Sequence, residues 1–269
     1  MTILLLGLGE VGSVLAEDLD GPFVAVDTAF ADPESRASRN AARLGISLGA
    51  TGNLVISAVT AANAEAAARS IAPGLDPGTW FLDLNSASPQ QKQRAAEAIE
   101  RAGGRYVEAA VMSPINPKRL AAPMLLGGPH ATEFAAYAKT LGFTGMTPFS
   151  DTIGPASATK LCRSVMVKGV EALAIESMLA ARAWGVQGTV LASLGNLFPS
   201  DDWAKLAGYL ISRSIEHGTR RAEEMREAAA TVEGTGVEPL MSLAAAQRQD
   251  WAPQHAPELL ELIKEIQNE

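Results

Sequence analysis

Cysteine is almost missing from this chain. Cys162 is the only one, so an intrachain disulfide framework is excluded. It stands in an apolar helical stretch and reads as a small buried side chain rather than a reactive thiol. Histidine is scarce too. His130, His217 and His255 lie far apart without metal-ligand spacing, so no metal site is expected. Basic charge is not in excess: the formal net charge is −8 and no basic cluster occurs, which argues against nucleic acid as a partner. There is no run of about 18 apolar residues, so no membrane span is expected. The opening apolar run is short, broken by glycine and without a basic flank, unlike a secretory leader. A cytoplasmic protein is the resulting expectation. Internal repeats and low-complexity tracts are also lacking. What is present is 269 residues with 47% hydrophobic content, enough for one large domain or two of ordinary size.

The most informative stretch is Thr2-Ile3-Leu4-Leu5-Leu6-Gly7-Leu8-Gly9-Glu10-Val11-Gly12. An apolar run of strand length leads into Gly-x-Gly-x-x-Gly, and a helical pattern follows. This is the dinucleotide-binding fingerprint in its proper context. Gly7 permits the tight turn, Gly9 lets a pyrophosphate approach the backbone, and Gly12 lets the helix pack on the sheet. The helix N-terminus then faces the phosphates. Residues 22–26 read as the second strand, with Asp27 at its end, where a carboxylate accepts hydrogen bonds from an adenosine ribose 2′-OH. Asp27 favours NAD because a 2′-phosphate would meet its negative charge. Arg36 and Arg39 lie close enough in sequence to keep NADP open.

Apolar runs at 2–6, 23–26, 53–59, 79–84, 105–111 and 123–127 read as strands. Helical stretches at 11–19, 34–43, 62–72, 89–102 and 131–141 separate them. This alternation predicts an α/β fold with a doubly wound parallel sheet of the Rossmann type over residues 1–154. From about 155 strand signals vanish, and an all-helical domain is expected over 155–269. Its helices are placed at 156–185, 189–195, 201–228, 238–250 and 257–267, punctuated by Pro199, Gly234, Gly236, Pro239, Pro253 and Pro257. Apolar residues on several faces of these helices suggest burial against a second subunit, hence a homodimer.

On a helical wheel the stretch 156–185 places Ser157, Lys160, Ser164, Lys168 and Glu171 within an arc of about 80°. Much of the rest is apolar. The stripe is either the solvated edge of a packed helix, with Lys168 and Glu171 as a weak i,i+3 pair, or the lining of a cleft between the domains.

The glycine motif, Ala58-Val59-Thr60, Asp83-Leu84-Asn85-Ser86-Ala87-Ser88-Pro89 and Gly154-Pro155-Ala156-Ser157-Ala158-Thr159-Lys160 occur in this order. In this the chain resembles the β-hydroxyacid dehydrogenases, relatives of 6-phosphogluconate dehydrogenase, over about residues 1–175. The remainder, with Lys160-Leu161-Cys162-Arg163-Ser164 and Ile215-Glu216-His217-Gly218, resembles a branch with its own helical C-terminal domain. The resemblance implies an NAD(P)-dependent dehydrogenase acting on a CH–OH group of a small-molecule substrate, with Lys160 as general acid/base.

It also implies cofactor contacts from Gly7, Leu8, Gly9, Glu10, Val11, Gly12, Asp27, Ala58, Val59, Thr60 and Asn85. Substrate contacts are expected from Ser86, Met112, Ser113, Ser164, Lys168 and His217. Ser88-Pro89 also reads as a helix cap.

Two departures stand out. Ser164 replaces the asparagine usual four residues after the lysine. Glu108-Ala109-Ala110-Val111-Met112-Ser113-Pro114 replaces Asp-Ala-Pro-Val-Ser-Gly-Gly, and loss of the paired glycines favours a larger or less polar substrate. An imine or ketoacid reductase and a non-catalytic nucleotide sensor remain alternatives.

Overall fold

The structure is a computed structural model that describes residues 2–197 and 202–268. The expected punctuation at Pro199 and the start of the helix placed at 201–228 lie outside the described residues. The chain folds as two compact units, Met1–Lys160 and Leu161–Glu269.

The first unit alternates as β1 (Ile3–Leu6), α1 (Glu10–Asp18), β2 (Phe23–Val26), α2 (Arg36–Leu44), β3 (Ser47–Leu48), β4 (Leu54–Ser57), α3 (Ala64–Ile71), β5 (Trp80–Asp83), α4 (Pro89–Arg101), β6 (Arg105–Val111), β7 (Met124–Gly127), α5 (Ala131–Thr140) and β8 (Met146–Ser150). The sheet order is β3-β2-β1-β4-β5-β6-β7-β8. The central strands Ile-Leu-Leu-Leu and Leu-Val-Ile-Ser are buried along their whole length, as strands covered on both faces must be. Alternate side chains feed two cores. Ile3, Leu5, Leu54, Ile56 and Val107 face one side with Leu15 and Phe134; Leu4, Val55, Phe81 and Tyr106 face the other with Ile71 and Ile99.

Two features depart from the expected parallel sheet. β7 runs antiparallel to β6. The connection between them, 112–123, contains only a short helical turn, and a parallel return needs a full crossover element. β8 and the two-residue β3 are additional strands at the two edges. Pro148 within β8 is tolerated because that strand is paired on one side only.

A buried ionic knot closes β5. Lys92, on α4, is 1% exposed, and its Nζ lies 2.7 Å from Oδ1 of the fully buried Asp83. The Tyr106 hydroxyl donates to Asp83 Oδ2 at 2.6 Å, and the Asn85 N–H donates to Oδ1 at 2.9 Å. Burial, reinforced by Asp83, raises the Tyr106 phenol well above its ordinary value, so it remains a donor. Lys92 shares the α4 face of Ala95, Ala96 and Ile99, the i, i+3, i+4, i+7 positions of a buried stripe.

The second unit contains most of α6 (Pro155–Trp184), followed by α7 (Gln187–Leu197), α8 (Trp203–Glu233), α9 (Leu240–Trp251) and α10 (Ala256–Asn268). The polar row of α6 points inward here. Ser164 and Glu171 are buried, Glu171 pairs with Arg221 and accepts from Gln249 at 3.1 Å, and Lys168 pairs with Glu224 at 2.9 Å. Burial pushes the Glu171 carboxyl up against the opposing pull of Arg221. The opposite face is apolar and open: Met166 is 69% exposed, Leu173 55% and Trp184 82%. Cys162 lies on that outward side, about 200° around the helix from Lys160. It is exposed, which corrects the expectation of a buried thiol. No described helix is long and apolar enough to cross a membrane.

Two outcomes are expected. Replacing Lys92 with Met strands the Asp83 charge and costs about 3–5 kcal/mol in urea unfolding, while pairing it with Asp83→Asn recovers part of the loss; an unchanged midpoint would refute the knot as a stabilising contact. Burial, then Arg213, lowers the His217 pKa below its ordinary 6.5. The unfolded chain therefore takes the proton first as pH falls through about 6.5, and native stability drops. His217→Gln removes this part of the acid-side slope, and identical slopes in the two proteins would contradict it.

Candidate functional site

The glycine turn after β1 is built from three glycines with three different constraints. Gly7 adopts φ +91°, and a Cβ there would lie 2.5 Å from the Ala58 carbonyl oxygen. A Cβ on Gly12 would run into the Gly7 carbonyl oxygen. At Gly9 a Cβ would meet nothing within 4 Å. Gly9 thus opens on free space at the N-terminus of α1, where no side chain caps the first-turn N–H groups. An open backbone, free donors and the positive end of a nine-residue helix suit the pyrophosphate of a dinucleotide.

Asp27 is fixed beside this turn. Its carboxylate accepts the Leu8 N–H at 2.9 Å and the Ala29 N–H at 2.9 Å. From α2, the Asn40 amide donates to the Leu8 carbonyl at 2.9 Å. Beyond β4, Ala58 and Val59 are half-buried and Thr60 is exposed. Asn85 joins this rim to the next strand: its Oδ1 accepts the Val59 N–H at 2.7 Å and its Nδ2 donates to Ser57 Oγ at 2.9 Å. Leu8 and Gly12 are buried in the turn, Val11 is half-buried and Glu10 is exposed at the head of α1. The residues expected to hold a cofactor therefore gather at the carboxyl ends of β1, β2, β4 and β5, where ligands of open α/β sheets bind.

The neighbouring strand anchors the helix that carries the lysine. Glu108 on β6 is the register partner of Asp83 and is fully buried. Its Oε2 accepts the Gly154 N–H at 2.7 Å and its Oε1 accepts the Ser157 N–H at 2.7 Å. A carboxylate thus caps the first turn of α6, the favourable end of the helix dipole. A Cβ on Gly127 would stand 2.6 Å from Glu108 Oε2, so glycine there leaves room for the carboxylate. With α6 anchored, Lys160 Nζ donates to Ser86 Oγ at 2.5 Å. Ser86, Asn85 and Lys160 thus meet within the first unit. Ser88 occupies the N-cap position of α4, but its side chain makes no capping hydrogen bond.

The other expected substrate residues are placed differently. Met112 and Ser113 open the loop after β6; the Met112 N–H bonds to the Pro123 carbonyl at 2.8 Å and the Ser113 hydroxyl to the Pro114 carbonyl at 3.0 Å. Ser164, Lys168 and His217 belong to the second unit. Lys168 Nζ donates to Ser164 Oγ at 3.2 Å, and His217 Nε2 lies 3.3 Å from Glu216 Oε2.

Sequence reasoning passed over Asn40, Ser57, Asp83, Lys92 and Glu108 as working parts. Lys92 was detectable on the apolar stripe of its helix, and Glu108 as a lone acid inside an apolar strand. Asn40 carried no comparable signal.

The profile of a domain of unknown function (DUF1932) matches residues 181–252. Among solved structures, a conserved hypothetical protein from Sinorhizobium meliloti 1021 is 35% identical, with a TM-score of 0.76 over 98% of this chain and 96% of that one. The conserved protein MTH1747, described as structurally similar to 3-hydroxyacid dehydrogenases, is 27% identical, with a TM-score of 0.71 over 96% and 99%. The 3-hydroxyisobutyrate dehydrogenase of Mycobacterium tuberculosis, solved with L-serine, shares the fold at 19% identity, with a TM-score of 0.71 over 95% and 94%. No curated protein matches the chain. With its glycine turn, its lysine-bearing helix and these relatives, the chain belongs to the β-hydroxyacid dehydrogenase-like family.

Proposed function

We propose that this protein is an NAD(P)-dependent oxidoreductase acting on the CH–OH carbon of a hydroxy acid or related alcohol, with Lys160 as its general acid/base. The observation that carries this reading is the 2.5 Å contact of Lys160 Nζ with Ser86 Oγ, in the same unit as the open glycine turn. A bound nicotinamide supplies or accepts the hydride. The chain's own work is to manage the proton. Neutral Lys160 accepts the proton lost by the hydroxyl during oxidation, and the ammonium form returns it during reduction. A neighbouring cationic nicotinamide would lower the lysine pKa towards the working range.

Asp27 supports NAD as the preferred cofactor, since its fixed carboxylate stands where a 2′-phosphate would bring like charge. Ser113-Pro114 in place of paired glycines, with Met112 beside them, supports a substrate larger or less polar than the simplest 3-hydroxy acids.

A homodimer is part of the same proposal. Met166, Val170, Leu173, Ser177, Ala180 and Trp184 follow one another at alternating spacings of four and three on the exposed side of α6. Such a stripe suits a second helix. Nicotinamide cofactors work inside cells, which supports a cytoplasmic location.

Turnover of NAD and NADP across a panel of hydroxy acids and alkyl or aryl alcohols tests the activity. The wild type is expected to reduce NAD with at least one of them. Lys160→Met is expected to lose about 10²–10⁴-fold in kcat while cofactor affinity stays within about twofold. Cofactor binding without turnover of any substrate would favour a nucleotide sensor instead. For assembly, light scattering at micromolar concentration is expected to give twice the chain mass, and a Met166→Glu, Leu173→Glu double variant the chain mass; a monomeric wild type would refute the dimer.

A further inference from the structure

The donors of the glycine turn are aimed by a side chain from outside it. Asn40 lies midway along α2 and is half-buried. Ala37 is buried and Ala41 packs partly against the same core, so α2 comes in close on small side chains. From there the short Asn40 amide reaches two successive carbonyls. Its Nδ2 donates to the Leu8 oxygen at 2.9 Å and to the Gly9 oxygen at 3.4 Å. With a carbonyl at each contact, only the amide nitrogen can face them. A trans peptide points its C=O and its N–H in opposite directions. Holding the Leu8 and Gly9 carbonyls towards α2 therefore turns the N–H groups that follow them, those of Gly9 and Glu10, away from α2. The Gly9 carbonyl is also held by the Ser13 N–H at 3.2 Å, so the closer contact at Leu8 carries most of the effect. Glycine makes this orientation vulnerable. Without a Cβ at Gly9 the adjoining peptides rotate easily, and a rotated one would present a carbonyl where an anion needs a donor.

We propose that Asn40 is a positioning residue for the cofactor: it holds the Gly9 and Glu10 N–H groups in the orientation that the pyrophosphate of a dinucleotide needs. This rests on the nicotinamide-cofactor reading above and adds the source of the turn's polarity. Asn40 acts through the backbone of Leu8 and Gly9 and makes no contact of its own with the cofactor. Asp27 does the complementary task on the preceding peptide, where it accepts the Leu8 N–H at 2.9 Å. The two side chains are not interchangeable. The Leu8 N–H needs an acceptor and the two carbonyls need a donor. A carboxylate at position 40 would face two carbonyl oxygens and bring a charge of the pyrophosphate's own sign.

The test measures binding to the full chain and needs no substrate. Reduced NAD is titrated by its nicotinamide fluorescence. ADP-ribose, which keeps the pyrophosphate, and adenosine, which lacks it, are titrated by calorimetry. Asn40→Ala is expected to weaken reduced NAD and ADP-ribose by about 5–20-fold, the loss of a hydrogen bond that orients a donor to an anion, and adenosine by less than about twofold. The near-isosteric Asn40→Asp should weaken the first two by at least about 30-fold and again spare adenosine. With any substrate that the wild type turns over, KM for NAD should rise in step while kcat stays within about threefold. A purely structural asparagine would lower the melting temperature of the ligand-free protein and weaken adenosine as much as ADP-ribose, which would overturn the proposal. Asn40→Ala binding reduced NAD within about twofold of wild type would overturn it as well and leave the cofactor reading intact. So would Asn40→Asp binding reduced NAD as tightly as Asn40→Ala. A wild type that binds neither reduced NAD nor ADP-ribose would bring down the cofactor reading and this proposal together.

Discussion

Two buried carboxylates on neighbouring strands set the terms for everything at this sheet edge. Asp83 ends β5 and its register partner Glu108 lies midway along β6, and both are fully shielded from water. Side by side, two such acids repel each other and lose their hydration, a combination that persists only if each finds strong partners of its own. Their solutions differ. Asp83 takes an ammonium, a phenol hydroxyl and a backbone N–H. Glu108 takes two backbone N–H groups from the turn and first residues of α6. The first solution fixes the Asn85-Ser86 segment; the second fixes the helix that carries Lys160. The electrostatic need of the two acids thus positions two segments far apart in sequence.

The cofactor side depends on space rather than charge. Gly7 and Gly12 are glycines because backbone stands where their side chains would be, whereas Gly9 faces nothing. Only Gly9 leaves a vacant approach to the helix end. Asp27 and Asn40 stiffen that approach from opposite sides, one accepting the Leu8 N–H and the other donating to the Leu8 carbonyl. The two peptide planes that flank Leu8 are thus each tethered by a side chain, so the turn is preorganised before any ligand arrives.

Much of this was legible in the sequence, and the losses have identifiable causes. The glycine motif, its flanking strand and Asp27 were readable because each answers to local geometry. The central strands were readable because burial on both faces leaves continuous apolar runs. β8 was missed because Pro148 interrupts a short pattern that only an edge position permits, and β3 because it has two residues. The direction of β7 depended on the length and content of a loop, which apolar periodicity does not report. Glu108 and Lys92 were passed over because charged residues are ordinarily expected in water. Cys162 is misplaced for the opposite reason: its apolar neighbours suggest a core, and on α6 part of that apolar surface faces outward. From sequence the polar stripe reads as a solvated edge or a cleft lining; packing against the unit's own helices is a third arrangement, and the one found.

That inversion of α6 has an energetic consequence. A buried polar row is no more stabilising than a well-packed apolar one and often less so, since each ion must be desolvated before it is paired. The Lys168–Glu224 and Glu171–Arg221 pairs largely satisfy one another, but Arg221 Nε and Gln249 Oε1 are without hydrogen-bond partners among the described residues. Meanwhile Met166, Val170, Leu173 and Trp184 spend their apolar surface on water. A lone chain buries Leu161, Ala172, Ile175 and Met178 of α6 in its own cores, yet leaves this outer apolar row in water. In the proposed dimer, an equivalent row from a second copy would cover this one, at about 25 cal/mol gained for each Å² of apolar surface removed from water. The inward polar row also orients the helix. Its paired charges restrict how α6 can rotate against α8, and so keep the apolar row facing outward.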